Sequence, residues 1–315
     1  MTYQPTWIKG RAVSAGEREC AERYEILRRF CRQYGRPFTV LDVGANLAYF
    51  SLRLTEEFDC AAVAIEGSQA GQACLRVLEQ NENPRVIFLA RDVTLADLQA
   101  LAEVEHFDVV LALSVIHHLP GSFEARLGLL RSLGDHLILE LAHEQAAGGG
   151  AQKASRVPSD ARCLGYGASH VEPGARRPIL LLSRPKTGLV RSFLGATREN
   201  FSIAIASDFS HKTVSWPYKP EARAWHRGIN LATYLDLGGA WPTRETIIGY
   251  LRSLRLTGAH GDIQPWNVIL QGDAVQLIDA ADPTMTVRYD DVASMATLIA
   301  RVQAASGIAL ERAHA

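Results

Sequence analysis

The sequence predicts an α/β fold: an open, doubly wound sheet with helices on both faces, followed by a smaller α+β module. Short apolar runs alternate with helix-patterned stretches from Pro37 to Leu141, which is the rhythm of a parallel sheet built from βαβ units. These runs are apolar at nearly every position, as strands covered on both faces require. A third observation fixes the functional edge. The run ending in Leu41-Asp42-Val43 enters a turn at Gly44, and the next apolar run closes on Glu66. A carboxylate at each of two neighbouring strand tips, beside a glycine turn, builds a nucleoside pocket at the carboxyl edge of such a sheet.

Taken in order, Glu17 to Gln33 reads as a helix with Tyr24, Ile26, Leu27 and Phe30 on one side. PFTVLDV is a strand and Leu47 to Glu57 a helix; CAAVAIE is a strand and Gln69 to Gln80 a helix. RVIFLA and Thr94 to Glu103 repeat the pattern, then FDVVLAL and Phe123 to Leu133, and HLILELA is the fifth strand. The Gly-rich stretch EQAAGGGAQKASRVPSD is a loop, either a surface insertion or a lid beside the cofactor edge. ARCLGYGAS and RRPILLLSRP are two final strands. From Lys186 the alternation stops. FSIAIASD and KTVSWPY read as a hairpin, Ile229 to Leu235 and Thr243 to Leu254 as helices, HGDIQPWN as a loop, VQLID as a strand and Asp291 to Ala304 as a helix. The expected division is 1–185 and 186–315, and 315 residues suffice for two units.

With 47% hydrophobic residues the chain can bury a sizeable core. A formal net charge of -1 gives no electrostatic reason to expect nucleic acid or an anionic membrane as partner. No run has membrane-spanning length, and the first residues lack the apolar core of a secretory signal. Five Cys without a CxxC pair fit reduced, packed thiols in a cytoplasmic protein and no zinc site.

The turn Asp42-Val-Gly-Ala-Asn-Leu-Ala48 has one Gly where a pyrophosphate site wants three. It suits a cofactor with an amino-acid tail. In order, LDVGANLAYFS, AIEGS, LARDV, FDVVLALSVIHHL and HLILELA resemble the motifs of class I S-adenosylmethionine-dependent methyltransferases, whose sheet is Rossmann-like and seven-stranded. The resemblance implies that Asp42 and Gly44 flank the methionine part, that Asn46 of the same turn is also cofactor-binding, and that Glu66 holds both ribose hydroxyls. It further implies that Asp92 accepts from the adenine amino group and that Ser114 lines the sulfonium. Gly often stands in that family where this chain has Ala48. Singly, each acid has a simpler reading: Asp42 and Asp92 as helix caps, Glu66 as a solvated strand end. His117 or His118, after the fourth strand, is a candidate general base or acceptor contact; packing under the next helix is the alternative. Arg18, Arg23, Arg28 and Arg29 read as a solvated helix face, with a lid role for Arg23 and Tyr24 as the alternative.

The second signal is His260-Gly-Asp262-Ile-Gln-Pro-Trp-Asn267, followed by VQLID ending at Asp279. It resembles the catalytic loop and metal strand of aminoglycoside-phosphotransferase-like and protein-kinase-like enzymes. The resemblance makes Asp262 the acid that orients or deprotonates the acceptor hydroxyl, and Asn267 and Asp279 the magnesium ligands for ATP. Asp290-Asp291 resembles that family's acidic anchor. The chain holds no Gly-rich phosphate loop, and Lys212 and Lys219 are the only candidates for the nucleotide lysine. Together the RECAERY helix, the methyltransferase motifs and HGDIQPWN resemble the bifunctional kinase–methyltransferases that terminate bacterial surface polysaccharides. Three functions remain open at this point. One is a methyltransferase acting on an oxygen of a small molecule, glycan or phospho-glycan, with a kinase-like C-lobe lacking its N-lobe. The others are a bifunctional enzyme that also uses ATP and magnesium, and a non-catalytic binding protein.

Overall fold

The N-terminal residues do something that no periodicity announces. Thr6–Ile8 (β1) and Arg11–Ser14 (β2) form an antiparallel hairpin, and Lys9 between them is pinned by Asn81 and Glu82. Glu17 and Arg18 donate backbone hydrogen bonds to Thr2 and Tyr3. That pairing ties 17 and 18 to the N-terminus rather than to a helix, and the first helix, Ala21–Cys31 (α1), starts four residues later than the pattern predicts. In this computed structural model the described residues are 2–35, 37–141, 159–169, 174–183, 228–254, 260–270, 274–278 and 290–305. Residues 144–158 of the Gly-rich loop, the FSIAIASD–KTVSWPY hairpin, Lys212, Lys219 and Asp279 lie outside them.

Phe38–Val43 (β3) is buried at all six positions and occupies the centre of the main sheet. After it come Tyr49–Glu57 (α2), Cys60–Glu66 (β4), Ser68–Asn81 (α3), Val86–Ala90 (β5) and Leu95–Val104 (α4). Phe107–Leu113 (β6), Phe123–Ser132 (α5) and Gly134–Glu140 (β7) complete the alternation, and Arg162–Ala168 (β8) and Arg176–Ser183 (β9) close it as a hairpin. Strands β3 to β7 pair in parallel, with β9 antiparallel to β7 and β8 outermost. The chain fills one side of β3 with β4 and β5, then returns to its other side with β6. The crevice at that reversal is where open sheets of this kind take ligands.

These seven strands form the expected doubly wound sheet, and an eighth joins them. Past residue 228, Ile229–Asn230 (β10) leads into a helix, Leu231–Asp236, and then Gly239–Trp241 (β11) pairs antiparallel with β5. The sheet order is β11-β5-β4-β3-β6-β7-β9-β8. Ile229, expected to be helical, instead pairs with Leu270 of Val268–Leu270 (β12), which in turn pairs with Val275–Leu277 (β13). Asn230 ends that strand by capping the helix: its side chain accepts from the Thr233 amide. The two segments share one core. Leu98 and Leu101 of α4 belong to the same buried cluster as Leu231, Tyr234, Ile247, Leu277 and Val302. The buried Glu105 carboxylate accepts from the Asn230 amide at 2.9 Å and from its side chain at 2.7 Å. Among the described residues no helix is long and apolar enough to cross a membrane.

Candidate functional site

The site grows from the turn after β3. Gly44, Asn46 and Ala48 all have left-handed backbone, with φ of 72°, 53° and 56°. Helix α2 therefore begins at Tyr49, two residues later than its sequence pattern. Asn adopts this region with little strain, whereas Ala does so at a cost of ~1–2 kcal/mol. The Gly44 position admits no side chain, because a Cβ there would lie 2.4 Å from Val115 Cγ2. The Gly44 and Ala45 amides both donate to the Ile65 carbonyl, at 2.9 and 3.0 Å, which ties the turn to β4.

Glu66, the last residue of β4, completes this tie. Its carboxylate accepts from the Asn46 amide at 2.6 Å and from the Gly67 amide at 2.9 Å. Burial raises its pKa against those amides, and the charge of Asp92 adds to the rise. Asp92 is adjacent: a Cβ on Gly67 would lie 1.8 Å from its Oδ1. Asp42 sits beneath the turn, where Ser51 Oγ donates to it at 2.8 Å. Burial, with a contribution from Glu66, pushes Asp42 up to about 7.

The simpler readings of these acids do not survive the geometry. Helix α2 has no side-chain cap; its first turn is met by Gln4, whose Oε1 accepts from the Leu47 and Tyr49 amides. Helix α4 is capped by Thr94, with Asp97 completing a capping box, and not by Asp92. Asp42, Gly44, Asn46, Glu66 and Asp92 thus gather at the β3–β5 tips.

Ser114, His117 and His118 follow β6. Ser114 is also left-handed, at φ 59°, and its amide donates to the Glu140 carbonyl. Its hydroxyl accepts from Arg18 Nη2 at 2.9 Å and from Arg177 Nη1 at 2.7 Å. The two histidine rings lie 3.9 Å apart. His117 Nδ1 is buried without a partner. Burial first, then His118 and the nearby Arg177, Arg18 and Arg126, push His117 down to about 4.

Arg18 and Arg23 are the correction to the solvated-face reading. Both are buried, together with Arg177 of β9, around the buried Glu140 at the end of β7. Arg23 Nη2 donates to Glu140 at 2.8 Å, and Arg18 pairs with the same carboxylate and with the Tyr3 hydroxyl. Arg28 and Arg29 stay at the surface, Arg28 on Glu57 and Glu25 and Arg29 on the Glu25 carbonyl. A signal for the cluster was available in the sequence: a lone carboxylate at the tip of an apolar strand, as in HLILELA, needs a partner if buried.

In the C-terminal part, the His260 and Gly261 amides donate to Asp291 at 2.6 and 2.7 Å. His260 Nε2 lies 2.9 Å from the Ile278 carbonyl, which ties the loop to β13's end. Asn267 Nδ2 donates to the Asp262 carboxylate and carbonyl, each at 3.0 Å. Burial raises the Asp262 pKa. Asp290 accepts from the first amides of the helix Asp291–Ala305.

No protein-family model matches the chain. Over 134 residues it is 32% identical to the O-antigen chain terminator bifunctional methyltransferase/kinase WbdD of Escherichia coli; the match covers 40% of this chain and only 19% of that protein's length. A solved structure of the bifunctional kinase-methyltransferase WbdD aligns with 84% of this chain and 76% of that one, at 19% identity and a TM-score of 0.44. The N-terminal domain of EvdMO1, solved in the presence of SAH and D-fucose, aligns with 59% of this chain and 91% of that one, at 14% identity and a TM-score of 0.43. The chain is therefore, along the 134 matched residues, a homologue of a bifunctional methyltransferase/kinase.

Proposed function

We propose that this chain is an S-adenosylmethionine-dependent methyltransferase acting on an oxygen of a small molecule or glycan, phosphorylated glycans included. The observation that carries the reading is the convergence of Glu66 and Asp92 beside the left-handed turn at Gly44. The residues fit the cofactor. A carboxylate has about four acceptor positions, and two amides use two of those on Glu66, which leaves capacity for a ribose diol. Asn46 Oδ1 is a buried acceptor with no partner, suited to an ammonium or hydroxyl donor. In this reading Glu66 grips the ribose, Asp92 the base amino group, and Asp42 and Ser51 brace the turn. The cofactor supplies a methyl group already activated on a sulfonium, so the protein's task is alignment and exclusion of water.

His117 has a narrower part than a general base. At about 4 its ring is uncharged at neutral pH and binds a proton weakly, whereas an efficient base has a pKa near the working pH. It suits an acceptor oxygen that arrives ionised or needs only a hydrogen-bond partner. The test is conversion of S-adenosylmethionine to S-adenosylhomocysteine with a panel of sugar and sugar-phosphate acceptors. Turnover that Glu66→Ala abolishes supports the reading, and absence of turnover with every acceptor speaks for a non-catalytic binding protein.

A second reading adds phosphoryl transfer, with Asp262 orienting an acceptor hydroxyl and Asn267 and Asp279 binding magnesium with ATP. The bond between Asn267 and Asp262, and the hold of Asp291 on the loop, favour it. It requires a rise in melting temperature with magnesium–ATP that Asp279→Ala removes.

A further inference from the structure

The edge strand β11 comes from the C-terminal part of the chain, yet it lies against β5, whose tip leads to Asp92. Asp92 is exposed, so burial does not fix its place. Its chain neighbours are held instead. The Ala90 amide donates to the Gly238 carbonyl at 3.1 Å, and the Arg91 amide to the Glu66 carbonyl at 2.9 Å. The Arg91 guanidinium reaches Asp97 at 2.7 Å and the Asp236 carbonyl at 3.5 Å. Arg91, Val93 and Leu237 border one small cavity, and Val93 and Leu237 pack against the same core. Leu237 thus lies beside both residues that flank Asp92.

The stretch that carries Leu237 is itself clamped. The buried Tyr234 hydroxyl donates to the Pro242 carbonyl at 2.7 Å, which closes the chain over β11. Trp241 Nε1 donates to the Asn83 carbonyl at 2.9 Å, and its side chain joins the buried cluster that holds Ala45, Leu47 and Ala48 of the Gly44 turn. Residues 237–241 therefore serve both sides of the site, the loop of Asp92 and the core under the turn. An acceptor on a loop reads a donor only when it is held to within about 0.5 Å, because hydrogen bonds weaken steeply with misalignment.

We propose that Leu237, with the Gly238 carbonyl, is a positioning residue of the cofactor site: it holds Asp92 in reach of the base amino group, so that recognition of adenine depends on the C-terminal part of the chain. The proposal deepens the methyltransferase reading and rests on it. It gives this part of the chain a role in methyl transfer whether or not phosphate is ever transferred there.

The experiment uses the full chain, as wild type, Leu237→Ala and Leu237→Met, each checked for folding by circular dichroism. S-adenosylhomocysteine and S-inosylhomocysteine, in which a carbonyl oxygen replaces the base amino group, are titrated calorimetrically. A charge-assisted hydrogen bond is worth about ten- to a hundredfold in affinity, so wild type should prefer the adenosyl ligand by that factor. Leu237→Ala should shrink the preference at least about threefold as the bond loses alignment, through weaker S-adenosylhomocysteine binding with S-inosylhomocysteine little changed. Leu237→Met, of similar volume, should keep the preference. In a protein already carrying Asp92→Ala, which removes the preference by itself, Leu237→Ala should alter it no further. A merely structural role would weaken both ligands alike. Equal loss for the two ligands, or no loss, overturns the proposal and leaves the cofactor reading in place. Should Leu237→Ala not fold, Leu237→Val must narrow the preference in the same direction; an unchanged preference overturns the proposal. A wild type that binds both ligands equally overturns it as well, and one that binds neither overturns the methyltransferase reading with it.

Discussion

Replacing Asp42 by Asn tests the electrostatics of the turn. The Asp42 carboxyl is raised from its ordinary 3.8 to about 7, chiefly by burial, with the Ser51 hydrogen bond opposing and Glu66 adding. Between those two values the folded protein holds a proton that the unfolded chain has lost, so stability falls as pH rises through that window. At ~1.4 kcal/mol per pH unit the whole interval amounts to ~4 kcal/mol. Asn cannot ionise, but it keeps an oxygen to accept from Ser51 and introduces a buried NH₂, which costs ~1–3 kcal/mol if unpaired. The difference in unfolding free energy, Asp42→Asn minus wild type, should therefore be smallest near pH 4, climb through pH 5 and 6, and level off above about 7. Urea denaturation of both proteins at half-unit pH steps measures it, and every other titrating group cancels in the subtraction to first order. A difference that does not vary with pH would refute the reasoning, whatever its size.

Gly44→Ala forces a Cβ against Val115 at 2.4 Å with φ at 72°, and thermal or urea unfolding should show a loss of at least ~2 kcal/mol. Glu105→Ala strips the acceptor from the Asn230 amide and side chain and should cost ~2–4 kcal/mol. Because the core is continuous across the two segments, the variant should unfold in one transition at lower temperature; two separate transitions would contradict that continuity.

The strands were legible because burial on both faces writes itself into consecutive apolar residues, and β3 to β7 fall where the runs lie. Helix starts were less so. Helix α2 begins late because Asn46 and Ala48 hold left-handed backbone, and α1 because Glu17 and Arg18 pair with Thr2 and Tyr3; periodicity carries neither. The acids of the site were readable because each lies at or just past the end of an apolar strand. Glu140, an acid at an apolar strand tip, signalled that partners were needed, but which arginines supply them was not readable, since Arg18 meets Glu140 across 122 residues of chain and an arginine on a charged helix gives no local sign of being buried. The same limit hid β11, three residues long, whose place is set by the exposed edge of β5. Gln4 at the start of α2 is a third case, a polar residue from another part of the chain standing where a local cap was expected.

The account depends on Glu66 gripping an adenosyl group, and calorimetric titration of S-adenosylhomocysteine into wild type and Glu66→Ala tests it most directly. Binding at one site per chain, weakened at least about tenfold in a folded Glu66→Ala protein, is the predicted result. A folded wild type that gives no binding heat and no shift in melting temperature, or a variant that binds as tightly as wild type, would contradict it.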